Sequence, residues 1–125
     1  MSTITEICGI DVSKDTLDIS QASRYSTIIE NRQVIPNKLD TIDAWLSEQS
    51  SQDILYVLEP TGNYSDKIIY SLHKNGLNYS LVPPFQSKSF MQSQGIVSKN
   101  DKQAADSLVK MGQSLDWIKH SICAT

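Results

Sequence analysis

At 125 residues, 39% hydrophobic and 20% charged, the chain has the make-up of one globular domain with a modest core and not of a disordered segment. No apolar run approaches the roughly 20 residues of a membrane span and no basic-then-apolar leader opens the chain; Cys8 and Cys123 form no metal-type pair, so a reduced, cytoplasmic protein without membrane contact is expected. The net charge of −3 argues against a nucleic-acid partner, yet residues 1–60 carry four Lys/Arg against ten Asp/Glu and residues 61–125 seven against four. An acidic half beside a basic half fits a cation-binding cluster next to a phosphate-binding surface, and equally fits ordinary solvated charge.

In chain order, Glu6-Ile-Cys-Gly-Ile-Asp11 reads as a short strand buried on both faces and ending on a carboxylate. Val12–Asp15 is a tight turn, and Thr16–Ser20 alternates as a second, antiparallel strand with Asp18 on its solvent side. Gln21–Ser26 is a polar connection; a third strand starts at Thr27–Glu30 and runs toward Val34-Ile35. Asn37 caps a helix over 38–49 whose apolar face is Leu39, Ile42, Trp45 and Leu46. Asp53–Leu58 is the strongest strand, and it ends on Glu59.

Pro60-Thr-Gly-Asn63 turns the chain into a helix over 64–74, which Asn75-Gly76 stops. Leu77–Val82 is a fifth strand, parallel to the fourth because a helix joins them. Pro83-Pro84 ends the sheet. A weakly helical stretch over 85–94 and a loop over 95–98 follow, then a helix from Asp101 to Met111, capped by Ser98 or Asn100, and a tail over 113–125 that adds a turn of helix and frays. The fold class is α/β: a mixed five-stranded sheet, three antiparallel strands and then parallel ones, flanked by helices.

Asp11 and Glu59 end two buried strands, and Asp101 opens a late helix. An Asp after a strand is often only a turn residue. Three such acids at one sheet edge would instead be hard oxygen ligands for Mg2+ or Mn2+, suited to phosphodiester cleavage. Most other notable residues have plain readings: His73 and His120 on the surface, Cys8 and Trp45 in the core, Lys99 and Lys102 solvated beside Asp101. Trp117 falls where a following region would cover it, and Ser13 and Thr61 are placed to steady the acids by hydrogen bonds.

The words Gly9-Ile-Asp-Val-Ser-Lys14, Leu17-Asp18, Glu59-Pro-Thr-Gly-Asn-Tyr64, Gln94-Gly95 and Ser98-Lys-Asn-Asp-Lys102 together resemble the insertion-sequence transposases with a RuvC-like acidic tetrad, a family that includes the Piv-type DNA invertases. The resemblance spans the chain in order. It implies an RNase H-like catalytic domain over 1–112, with 113–125 leading toward a helical region and a C-terminal domain bearing a serine nucleophile. It also implies metal-dependent DNA strand cleavage and transfer, DNA as partner, a homo-oligomer at full length and, in some relatives, a guide RNA from the element. The tetrad's first three acids map to Asp11, Glu59 and Asp101, while its fourth falls on Ala104. Positions 101 and 104 lie about 60° apart around a helix and can face one ion; Asp106, about 140° from Asp101, cannot replace the missing acid. Weakened metal binding and little or no cleavage are therefore expected.

Two other readings compete. Actin-like sugar kinases also open on a Gly-x-Asp strand and a polar hairpin, but five glycines without a phosphate loop fit them poorly. A non-catalytic nucleic-acid-binding or dimerisation module is the reading that Ala104 favours.

Overall fold

The computed structural model describes residues 4–49, 53–83, 101–114 and 122–123, with the backbone alone at 101–103 and 122–123. Among the described residues six strands form one sheet: β1 Glu6–Val12, β2 Thr16–Ser23, β3 Asn31–Pro36, β4 Ile54–Leu58, β5 Asn78–Leu81 and β6 Ile122–Cys123. Their spatial order is β3-β2-β1-β4-β5-β6. The first three are an antiparallel meander, β1, β4 and β5 run parallel, and β6 returns antiparallel to β5. The five expected strands and their mixed directions are present.

Strand alternation divides the side chains between two faces. On one, Cys8, Ile10, Val12, Leu17, Ile19, Tyr56 and Leu58 pack under α1 (Leu39–Glu48) and α2 (Asp66–Lys74) through Ile42, Trp45, Leu46, Ile68 and Leu72. On the other, Ile7, Ala22, Leu55 and Val57 pack under Leu108, Val109 and Met111 of α3 (Asp101–Gly112). The central strands are apolar on both sides because both sides are covered, which is why β1 and β4 read as continuous runs. Trp45 is core, edge-on to the fully buried Tyr56 ring at 5.9 Å, and the Cys8 thiol is fully buried.

Several boundaries differ from expectation. β2 runs on to Ser23, so Gln21-Ala22-Ser23 is strand; Gln21 is held by hydrogen bonds to Glu6, Gln49 and Asn31 that a sequence window does not reveal. Thr27–Glu30 is loop, and β3 starts only at Asn31, where Gln21 supplies its register partner. The chain enters α2 through a 3-10 turn, Gly62–Ser65, which needs Gly62 in the left-handed region at φ 51°. The tail contributes β6, where the free edge of β5 offers unpaired backbone groups. The helix expected over 85–94, the loop over 95–98 and the cap at Ser98 or Asn100 lie outside the described residues.

Candidate metal centre at the carboxyl end of the sheet

β1 and β4 pair in register from Glu6↔Ile54 to Ile10↔Leu58. Asp11 and Glu59 are the next residue on each, half-buried, on neighbouring strands about 4.8 Å apart. Alternation continues Gly9 to Asp11 and Val57 to Glu59, which turns both toward the α3 face. Parallel strands thus deliver two carboxylates to one end of the sheet, where ligands of open α/β sheets gather.

α3 reaches the same end because of two glycines. At Gly112 an added Cβ would lie 2.7 Å from Ile7 Cγ2 and 2.6 Å from Val57 Cγ2; at Gly9 it would lie 2.3 Å from the Ala105 carbonyl oxygen. The helix therefore lies directly on β1 and runs against it, so going back along α3 leads toward the carboxyl end of β1. From Ala105 to Asp101 the helix advances about 6 Å, and from Gly9 to Asp11 the strand advances about 6.6 Å. The backbone of Asp101 thus starts α3 at the end that carries Asp11 and Glu59. Its side chain is outside the described ones, as are Lys102, Lys99, His120 and Trp117. Ala104 is buried, at 4% exposure. Among the described residues, no three of His, Cys, Asp and Glu gather closely enough to hold a metal ion.

The surrounding polar groups have specific partners. Asp106 accepts from Ser20 Oγ at 2.6 Å and from Arg32 Nε and Nη2 at 3.3 and 2.8 Å. Ser20 and Arg32 are register partners on β2 and β3, so this carboxylate ties α3 to the meander. With these partners Asp106 serves as a tether. The ion pair in turn raises the Arg32 pKa, chiefly through the Asp106 hydrogen bond. Asp18 is half-buried, not simply solvent-facing: it pairs in register with Asp11 and lines a cleft of about 280 Å³ with Ile19, Ser20, Arg32, Gln33, Val34 and Ala105. Ser13 Oγ bonds the Thr16 carbonyl and hydroxyl, and Thr61 Oγ1 donates to the Glu59 carbonyl at 3.1 Å, so these two hydroxyls fix the turns that follow the acids. His73 is exposed on α2, 3.3 Å from the Tyr79 hydroxyl.

Sequence reasoning missed Asn37. It is not the cap of α1, a position held by Lys38 without a side-chain bond. Asn37 is instead buried, its Nδ2 donating to the carbonyls of Ser13 at 2.8 Å and Tyr64 at 2.9 Å. Its place between Pro36 and a helix was the available signal, and it fits a cap just as well.

Sheet order, direction changes and a helix seated on the first strand define an RNase H-like domain. Two solved structures share it: Thermus thermophilus RuvC, with a TM-score of 0.63 at 12% identity over 94% of this chain and 99% of that one, and T. thermophilus RuvC in complex with Holliday junction substrate, with a TM-score of 0.56 at 12% identity over 87% and 97%. Residues 8–119 match the family model of the IS110-type DEDD transposases, described as transposase, and the chain belongs to that family. No curated protein matches the sequence.

Proposed function

We propose that this chain is the RuvC-like catalytic domain of a DNA transposase, which in the full-length protein cuts and transfers DNA strands with Mg2+ or Mn2+. We further propose that Ala104 leaves it with weak metal binding and little or no cleavage. The observation that carries the reading is the arrival of Asp11 and Glu59 at register-adjacent strand ends, on the face that α3 enters at Asp101. Hard carboxylate oxygens are the donor set such cations take. Asp11, Glu59 and Asp101 would hold them, and the ions would supply activation of the attacking oxygen and stabilisation of the leaving one.

The chain's own part is geometric and electrostatic. β1 and β4 fix the carboxylates on one face, and α3 closes over it. Left without counter-charge, these acids repel one another and a phosphate alike. Three ligands in place of four bind a cation less tightly, so Ala104 acts on ion retention before it acts on strand chemistry. DNA is the proposed partner; the junction held by one RuvC neighbour makes a four-way junction a suitable first substrate. A guide RNA and a homo-oligomer belong to the same proposal. A second reading, a non-catalytic module that holds nucleic acid or dimerises, is favoured by Ala104 alone.

Restoring the acid tests both. Full-length protein carrying Ala104→Asp should gain Mg2+-dependent cleavage of a four-way junction that the parent lacks, and should lose it again on Asp11→Asn. Cleavage by the parent equal to that of Ala104→Asp would overturn the assignment of position 104. Junction binding without cleavage in both would favour the second reading.

A further inference from the structure

We infer that Asn37 is a positioning residue, whose side-chain amide sets the separation of Asp11 and Glu59 beyond the point where the sheet stops doing so. The inference rests on the metal-centre reading above. The last in-register pair of β1 and β4 is Ile10↔Leu58, and both acids lie one residue past it. Past it β1 stays paired with β2 alone through Asp11 and Val12 before it turns, and β4 leads into the 3-10 turn, so no ladder bond joins the two acids' strands beyond that pair.

Asn37 stands between those two turns. One amide hydrogen goes to the Ser13 carbonyl, two residues after Asp11, and the other to the Tyr64 carbonyl, five residues after Glu59. Its backbone N–H also donates to the Asp15 carbonyl at 2.9 Å. Both turns are stiff. Ser13 N and Oγ bond the Thr16 carbonyl at 3.0 and 2.9 Å. The Tyr64 N–H bonds the Thr61 carbonyl at 3.0 Å, the Thr61 N–H bonds Ser65 Oγ at 3.2 Å, and Thr61 Oγ1 bonds the Glu59 carbonyl. A continuous hydrogen-bonded path therefore runs from the Glu59 backbone through Thr61, Tyr64 and Asn37 to Ser13.

The geometry of the amide gives the path a length. The two N–H bonds of a primary amide diverge at about 120°, so acceptors at 2.8 and 2.9 Å stand about 5 Å apart. That matches the spacing of neighbouring strands, about 4.8 Å. The Asn37 amide thus does for the two turns what the backbone ladder does for the strands. A serine has one donor and a carboxylate none, so neither can bridge both carbonyls.

The test uses Mn2+ as the probe, its affinity read by electron paramagnetic resonance, with the thermal midpoint measured on each sample. Asn37→Asp should weaken Mn2+ binding at least fivefold. Asp43→Asn, which loosens the α1–α2 contact on the face of the sheet opposite α3, should leave affinity within twofold even where its midpoint falls as much. Unchanged affinity in Asn37→Asp, with binding lost in Asp11→Asn, overturns the inference and leaves the metal centre standing. Unchanged affinity in Asp11→Asn removes the metal centre itself and the inference with it. Should Asn37→Asp not fold, hydrogen exchange of the Asn37 side-chain amide in the parent decides: saturating Mg2+ should slow it at least tenfold, and no slowing overturns the inference.

Discussion

Replacing Gly9 by alanine tests the contact that brings α3 to the acidic end of the sheet. The new Cβ would stand 2.3 Å from the Ala105 carbonyl oxygen and 2.9 Å from the Val109 nitrogen, where ordinary contact begins at 3.4 Å. Both atoms are helix backbone, so no rotamer change relieves them, and α3 must retreat by about 1 Å. A gap of that size forfeits a quarter to a half of the dispersion energy of the atoms it separates, here the packing of Leu108, Val109 and Met111 on Ile7, Leu55 and Val57. Overpacking costs roughly 1–3 kcal/mol, and a rigid neighbour puts Gly9→Ala near the top of that range, even after the gain of about 0.5–1 kcal/mol from removing a strand glycine. Gly112→Ala meets side-chain methyls of Ile7 and Val57 at 2.7 and 2.6 Å, which can shift, and should cost less. Gly62→Ala meets nothing within 4 Å but has φ 51°, and should cost about 1–2 kcal/mol through backbone strain alone. Urea unfolding with a common m-value gives the ranking. A Gly9→Ala protein within about 0.5 kcal/mol of the parent, or more stable than Gly112→Ala, would refute the seating of α3 on Gly9.

Other substitutions probe the tether, the charge balance and the core. Asp106→Ala should destabilise by roughly 1–3 kcal/mol because it strands the buried Ser20 hydroxyl, whereas Arg32→Ala, removing an exposed partner of the same carboxylate, should cost clearly less by urea unfolding. Burial first and Glu30 second raise the Glu6 pKa above its ordinary 4.5, so its favourable contribution is complete below that value and is lost as pH rises through the folded pKa. Glu6→Gln should therefore raise the thermal midpoint at pH 7 and leave it unchanged near pH 3.5; an equal shift at both would contradict the assignment. Asp43 has the opposite sign: the Ser71 hydroxyl and then Lys74 lower its pKa, so Asp43→Asn should lower the midpoint at pH 7 and lose that effect as pH falls through the folded pKa. Burial, then Glu6, pushes the Cys8 thiol up, and alkylation at pH 8 should proceed only as fast as the protein unfolds.

What the sequence made legible is what local periodicity controls. The apolar runs at Ile7–Ile10 and Ile54–Leu58, the 3.6-residue stripe at Ile42, Trp45 and Leu46, and the glycine stop after α2 correspond to observed elements because each is decided within a few residues. The unread features are long-range. Ser20 and Asp106 are 86 residues apart, and the value of an Asp in a helix as a tether exists only once β2 lies beneath it. Asn37 looked like a cap because a cap needs only its own helix, whereas its actual partners come from two turns brought there by β1 and β4. For the site, two of the three acids could be followed to a common sheet end because strand ends are local features and the parallel crossover is a general rule. β3 began later than its β-branched residues implied, since of Thr27–Glu30 only Glu30 reaches β2, through its N–H to the Gln21 carbonyl, whereas Asn31–Pro36 pair with it residue by residue.

Position 104 shows why fold and chemistry can separate in this domain. Ala104 and Ala105 are 4% and 1% exposed, on a helix that approaches β1 closely enough to need glycine opposite it. A carboxylate in such a place is costly to desolvate unless a cation or hydrogen bonds meet it. Alanine there removes that cost, and the two apolar clusters that hold the sheet between its helices contain none of the proposed ligands. On the proposed assignment of position 104, alanine trades an ion ligand for stability in the ion-free state, while the fold still resembles that of RuvC at 12% identity. Similarity of fold therefore carries no information about the fourth ligand proposed at position 104. Ala104→Asp should lower the thermal midpoint in chelator and recover it with Mn2+, a crossing of two effects that a purely structural position 104 would not produce.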